Sequence, residues 1–318
     1  MKRRNHFLCA GLALGFALAA SSILLAQSPA AETLQEKVGL PQAVTPPPSN
    51  TISNADLGDI DVVKRLPRPE MFTFSSTQQF FYTDNVFFTN ANPVGSTAYL
   101  GSYTASLVPY SLRDWTPRIT LQYNMVRYGS AAAGDFDNEN LAFSSQYVFT
   151  NDRAWSWTAT VDLSRFTTPH ANDHQFYSEV VYDNQITHVQ QLLKDTPLFF
   201  IAAYDLAYHQ AAPSVFDRLD NTLSFSLAWY PIPELSIGPF VRPSARIYTT
   251  NTTATTTTIF QHDRDDFNLS EGLDVTWQPC RYVSLSADVS HVDDYSNNSG
   301  QSYSDTMPGV SVTGTYKF

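Results

Sequence analysis

Eight charged residues share one parity of alternating segments: Asp162, Glu179, Asp183, Asp205, Arg242, Arg246, Asp274 and Asp288. Successive side chains of an extended chain point to opposite faces, so each of these groups sits opposite the apolar face of its own segment. With Lys317 added, the face carries six acidic and three basic groups, a formal net charge of −3. A wall of that sign around a narrow, low-dielectric space raises the local cation concentration. Ser224, Ser226, Ser284, Ser286 and Gly272 fall on the same face and leave room between the charges. A different chemistry, acid–base hydrolysis of a lipid at a membrane surface, would draw on His170, His174, His209, His262 and His291. These histidines stand in Asn/Asp-rich stretches and no nucleophile motif accompanies them. His170, Asp173 and His174 are spaced for a metal only on a helix, and there is no CxxC, GxGxxG or GxxxxGK[ST], so neither metal nor cofactor is expected.

The elements that must hold these groups are strands. In "WSWTATVDL" (155–163), "LSFSLAW" (223–229) and "VSLSADV" (283–289), apolar residues alternate with Ser, Thr or Asp. Weaker runs between them bring the expected strands to twelve, near 71–83, 98–108, 117–128, 140–149, 154–166, 175–189, 197–209, 218–230, 235–248, 266–277, 282–292 and 307–318. Short links at 150–154, 230–234 and 278–281 alternate with long polar ones at 83–97, 129–140, 249–265 and 293–305, so one end of the sheet has turns and the other has loops. That asymmetry predicts an antiparallel transmembrane β-barrel with periplasmic turns and longer extracellular loops, over residues 70–318. Pro239 and Pro243 share a parity in the strand 235–248, so their missing N–H groups face one neighbour and predict a bulge or opening there.

The termini and the tryptophans favour a barrel over a soluble sandwich. Residues 1–26 read as a signal peptide, with Lys2, Arg3 and Arg4 before an apolar run, and 27–69 read as a flexible Pro-containing lead-in. Cleavage takes away three basic residues and no acidic one, moving the formal charge from −11 to −14, which disfavours nucleic acid. Cys280 is then the remaining cysteine, so no internal disulfide is expected. Trp115, Trp155, Trp157, Trp229 and Trp277 lie within a few residues of short turns, and Tyr316 and Phe318 end the chain on the same side. Phe87, Tyr99, Tyr128, Phe166, Tyr208 and Tyr248 lie at the loop ends, so the two groups predict aromatic girdles at two membrane interfaces. The final strand, "GVSVTGTYKF" (309–318), is expected to pair with the first and leave no open edge.

"FFYTDNVFF" (80–88), an aromatic strand running into an Asp-Asn turn, resembles the opening strand of β-barrel porins of the OmpL-like type, and "TYKF" resembles the C-terminal assembly signal of bacterial outer-membrane proteins. The resemblance implies a channel or an export-associated pore and brings no catalytic residues. Expected partners are outer-membrane lipids and lipopolysaccharide, the barrel assembly machinery and small hydrophilic solutes. The expected location is the cell outer membrane. A lipid-modifying hydrolase, or a structural barrel using the Thr-rich run 249–258, remain alternatives.

Overall fold

The computed structural model describes residues 71–112, 114–149, 154–169, 174–193, 196–249, 264–298 and 300–318. The signal-peptide and lead-in segments lie outside the described residues, as do His170, Asp173, His262 and all of the Thr-rich run but Thr249. Twelve strands follow in order: β1 (Phe72–Thr83), β2 (Ser96–Leu107), β3 (Trp115–Tyr128), β4 (Phe136–Val148), β5 (Trp155–Thr168), β6 (His174–Leu193), β7 (Thr196–Ala212), β8 (Arg218–Ile232), β9 (Leu235–Tyr248), β10 (Asp265–Cys280), β11 (Val283–Ser296) and β12 (Tyr303–Lys317). Each pairs antiparallel with its sequence neighbours and β1 closes on β12, so the sheet is a barrel with no free edge.

Parity decides what faces inward. Leu121, Phe143, Val161, Leu163, Ile186, Leu223, Phe225, Leu273, Val289 and Val312 all point away from the barrel axis and are exposed. Their strand neighbours of opposite parity, mostly Ser, Thr, Asn, Gln and Asp, line the interior. This is the alternation read from the sequence, with the apolar face outside.

Several strands extend further toward the loop end than alternation indicates. β4 starts at Phe136, β7 reaches Ala212, β11 reaches Ser296 and β12 starts at Tyr303. There the outer face turns largely polar and the inner face mixes polar residues with buried Phe136, Ala211 and Tyr303, so the alternation of the mid-strands vanishes while pairing continues. Asn124 and Asn138 meet on the inner face at 3.0 Å, and Arg127 and Asp137 meet on the outer face at 2.6 Å. Cross-strand pairs of this kind add side-chain support to the ladder.

The prolines of β9 open the ladder to one neighbour, as their shared parity predicts, and do so without a bulge. Register to β8 is the same at Thr222↔Ser244, Phe225↔Val241 and Trp229↔Ile237, with no pairs at Pro239 or Pro243, while the β10 ladder runs unbroken from Asp265↔Ile247 to Trp277↔Leu235. Both missing donors therefore face β8, and the ladder thins without a bulge at either proline. The register shift lies farther along, between Trp229 and Ile232.

Closure is made at the last residue. Phe72 and Phe318 exchange both backbone hydrogen bonds, at 2.9 and 3.0 Å, and their rings stack with centroids 4.9 Å apart. Deleting Phe318 removes that pair and opens the β1–β12 seam at one end. The expected outcome is a clearly smaller folded, heat-modifiable fraction on gels, and insertion at wild-type level would contradict it.

Candidate functional site

The interior has two tiers. At the loop end it is filled. The β1–β2 connection turns inward, and Val86 (2% exposed) joins Phe81, Leu100, Val126, Tyr128, Phe136, Phe166, Tyr177 and Phe216 in one apolar cluster. Phe88, two residues on, joins a second cluster with Val292, Tyr303 and Met307, its ring 4.6 Å from that of Tyr303. Phe88 holds φ at 47°, a left-handed conformation costing an L-residue about 1–2 kcal/mol, which the packing around it offsets.

Polar anchors fix this connection to β12. Thr83 donates its hydroxyl to Asp305 at 2.7 Å, and the backbone N–H of Asp84 donates to the same carboxylate at 3.1 Å. In return, the N–H of Thr306 donates to Asp84 at 3.0 Å. The Asn85 side chain clamps Thr89, accepting from its N–H and donating to its carbonyl, each at 3.0 Å, and also donates to the carbonyl of Ser304 at 3.1 Å. The "TDN" of the sequence motif is thus the hinge of an inward-folded loop.

Beside the apolar clusters, the same tier holds a charge network across β6, β7 and β8. Tyr177 donates to Glu179 at 2.9 Å, and His209 Nδ1 lies 2.9 Å from the same carboxylate oxygen. His209 Nε2 lies 3.3 Å from Asp220, whose two oxygens each accept from Arg218 Nε at 3.1 Å. Arg246 lies 3.8 Å from Asp294, and Arg264 pairs with Asp266 while its guanidinium covers the Tyr248 ring at 4.4 Å. Charges withdrawn from water persist only when paired in this way.

The second tier lies near the middle of the strands and stays half-buried. Asp162, Asp183, Asp205, Asp274 and Asp288 all point inward there, with Arg242 on β9. Asn140 and Ser164 donate to Asp162 at 2.6 and 3.0 Å, Gln185 donates to Asp205 at 3.4 Å, and Thr276 donates to Asp274 at 3.0 Å. Asp274 stands directly opposite Asp288, and one enclosed oxygen of Asp183 has no hydrogen-bond partner. Gln79 reaches Asp288 at 3.0 Å across β12, an approach that passes Gly309, where a Cβ would lie 2.9 Å from Asp288 Oδ1 and 3.0 Å from Gln79 Nε2. The formal charge of this tier is five acids less one base, or −4.

Of the eight charges selected from the sequence, all take the inward face. Glu179 and Arg246 nevertheless belong to the filled tier, with side chains 9% and 1% exposed, because their strands carry them up to the loop cover. Lys317 is exposed at the turn end. Gly272 does not leave room in the interior: the Phe240 ring occupies the space, 2.8 Å from where a Cβ would stand, and the Val289 carbonyl lies only 2.2 Å away. Gly272→Ala is therefore expected to destabilise the barrel by roughly 1–3 kcal/mol, the range of an overpacked site. Gly314→Ala, with nothing within 4 Å, is the control expected to change little. Denaturant midpoints of the two variants check this.

Trp155, Trp157, Trp229, Trp277, Tyr316 and Phe318 are exposed on the outer wall near the turns, and Trp115 shares that parity, donating its indole N–H to Ser145 at 2.5 Å. The second aromatic group divides. Tyr99 and Tyr208 face outward, but Tyr128 and Phe166 turn inward and are buried in the apolar cluster, Tyr248 faces Arg264, and Phe87 packs against the cluster from the loop. Of the candidate acid–base histidines, His209 has both ring nitrogens taken up by carboxylates, and His291 faces outward. His174 is exposed at the start of β6.

Neither a family model nor a curated protein sequence matches this chain. Among solved structures, an outer membrane channel from Pseudomonas putida F1 superposes on 81% of this chain and 99% of its own length, with a TM-score of 0.55 at 12% identity. The KdgM porin in complex with disordered oligogalacturonate covers 76% and 99% at 9% identity, with a TM-score of 0.41. LpxR from Salmonella typhimurium covers 76% and 100% at 9% identity, with a TM-score of 0.43. The likeness to the Pseudomonas channel is one of fold, a closed antiparallel barrel. The activity has to be argued from the interior of this chain.

Proposed function

We propose that this protein is a porin-like outer-membrane channel for small hydrophilic solutes, with modest cation preference and a mouth guarded by the β1–β2 connection. The exposed apolar outer wall between the turn-end tryptophans and the loops supports membrane insertion, since a surface of that kind is stable against hydrocarbon and not against water. The observation that carries the channel reading is the middle tier, a half-buried acidic lining beneath an inward-folded loop. An interior built only for stability would bury and pair these groups as the loop-end tier does. Cations entering from the turn side meet the carboxylates of Asp162, Asp183, Asp205, Asp274 and Asp288, and passage to the far side requires Val86 and Phe88 to move. The signal-peptide reading, the turn-end aromatic girdle and the resemblance of residues 80–88 to OmpL-like porins agree with this location and role.

Conductance and ion selectivity of purified protein in a planar bilayer test the reading. Cation-weighted current is expected. A membrane that stays sealed both with the native protein and with its β1–β2 loop shortened would overturn it.

A further inference from the structure

Charges on the outer wall are few, and most neutralise one another. On β3–β5, Arg127 meets Asp137 at 2.6 Å and Arg165 meets Glu139 at 3.6 Å. Glu271 differs. It points outward from β10, is exposed, and no hydrogen bond or ion pair reaches it from the described residues. It lies six positions from Trp277 along the strand, with Leu269 and Leu273 on either side in its outward row and Val241 opposite it on β9. Directly opposite on β11 is His291, 40% exposed, whose Nδ1 lies 2.9 Å from the Thr306 hydroxyl. The His291 Nε2 contact with Asp293 is long, at 3.4 Å, so that nitrogen can still serve a nearer carboxylate. On the turn side of this pair the same wall is concave, an apolar groove of about 460 Å³ floored by Ala287 between Val275, Trp277, Leu285 and Val310.

A lone carboxylate in an apolar outward row is costly against acyl chains, and the cost grows with depth. An acid and a base side by side are also self-complementary. Rotation by half a turn about an axis parallel to the barrel exchanges left and right, so the acid of one wall meets the base of the other.

We propose that the β10–β11 outer wall is the contact between two copies of this chain, related by such a two-fold axis, with Glu271 of each facing His291 of the other. The proposal rests on the membrane-inserted reading above. It provides Glu271 with a partner and places protein against the groove below it.

The native cysteine supplies the test. Cys280 ends β10, is exposed and is a free thiol on the same side of the barrel. In outer-membrane vesicles a short bismaleimide is expected to link native protein into dimers, with Cys280→Ser abolishing the product, and native mass spectrometry is expected to give twice the chain mass. Glu271→Lys sets like charges face to face and should weaken dimerisation by about tenfold or more. The double change Glu271→Lys with His291→Glu should restore it, which separates loss of contact from loss of folding. A monomer mass without cross-linked product, with or without bound lipid, would overturn the proposal, as would a dimer indifferent to Glu271→Lys. Recovery of the protein in the soluble fraction would instead remove the membrane reading beneath it.

Discussion

Replacing residues 86–94 by a short Gly-Ser turn is expected to raise single-channel conductance several-fold. The change leaves all twelve strands intact and deletes Val86, which belongs to an apolar cluster drawn from the walls of β1 to β7, and Phe88, which is packed against Val292, Tyr303 and Met307. Each of these buried side chains contributes about 1.5–3 kcal/mol, so some thermal stability is lost with them. A smaller change should act in the same direction: Asn85→Ala removes the clamp on Thr89 and the bond to the Ser304 carbonyl, while leaving the apolar contacts. Its expected signature is more frequent opening at unchanged unitary conductance. Single-channel recordings distinguish the two. A loop-shortened barrel with native conductance would show that other parts of the interior, and not this loop, set the resistance.

The second large effect concerns selectivity. Changing Asp183 and Asp205 together to Asn takes the middle tier from a formal −4 to −2, because two of its five carboxylates become neutral amides of nearly the same shape. Reversal potentials under a salt gradient should move toward anions. The move should be larger in 0.1 M than in 1 M salt, since the screening length falls from about 10 Å to about 3 Å. Arg242→Ala should act oppositely and strengthen cation preference, because it removes an inward-facing base of the same tier. The loop-end network offers a control. Asp220→Asn leaves Arg218 and His209 with a poorer partner in a closed region, so it should lower stability more than it alters selectivity. Selectivity indifferent to the middle tier would mean that current does not pass those residues.

How far the sequence could be read depended on how many neighbours each feature needed. Trp155, Trp157, Val161 and Leu163 reveal their strand without knowledge of any other, because period-two alternation is a property of one extended chain. The inward face of Asp162, Asp183, Asp205, Asp274 and Asp288 followed from the same period. Strand ends at Phe136, Ser296 and Tyr303 did not, since residues there are held by partners on adjacent strands and by the inward-folded loop. Nor did the burial of the loop-end aromatics: parity along their own strands sets Tyr128 and Phe166 on the face opposite Leu121 and Leu163, but their being buried required a surface to pack against.

The amino-acid order alone therefore determined the class, an antiparallel barrel of twelve strands closed between its first and last, and the parity that sends carboxylates inside. These are local periodicities summed along the chain. Only the tertiary structure decided which inward charges remain half-open and which are sealed. That outcome depends on "TDNVFF" folding over the mouth, where Val86 joins an apolar cluster drawn from β1 to β7 and Phe88 joins one drawn from β11 and β12. Contacts between residues more than two hundred positions apart, such as Thr83 with Asp305, leave no periodic trace in either segment. They exist because closing the sheet brings its first and last strands side by side.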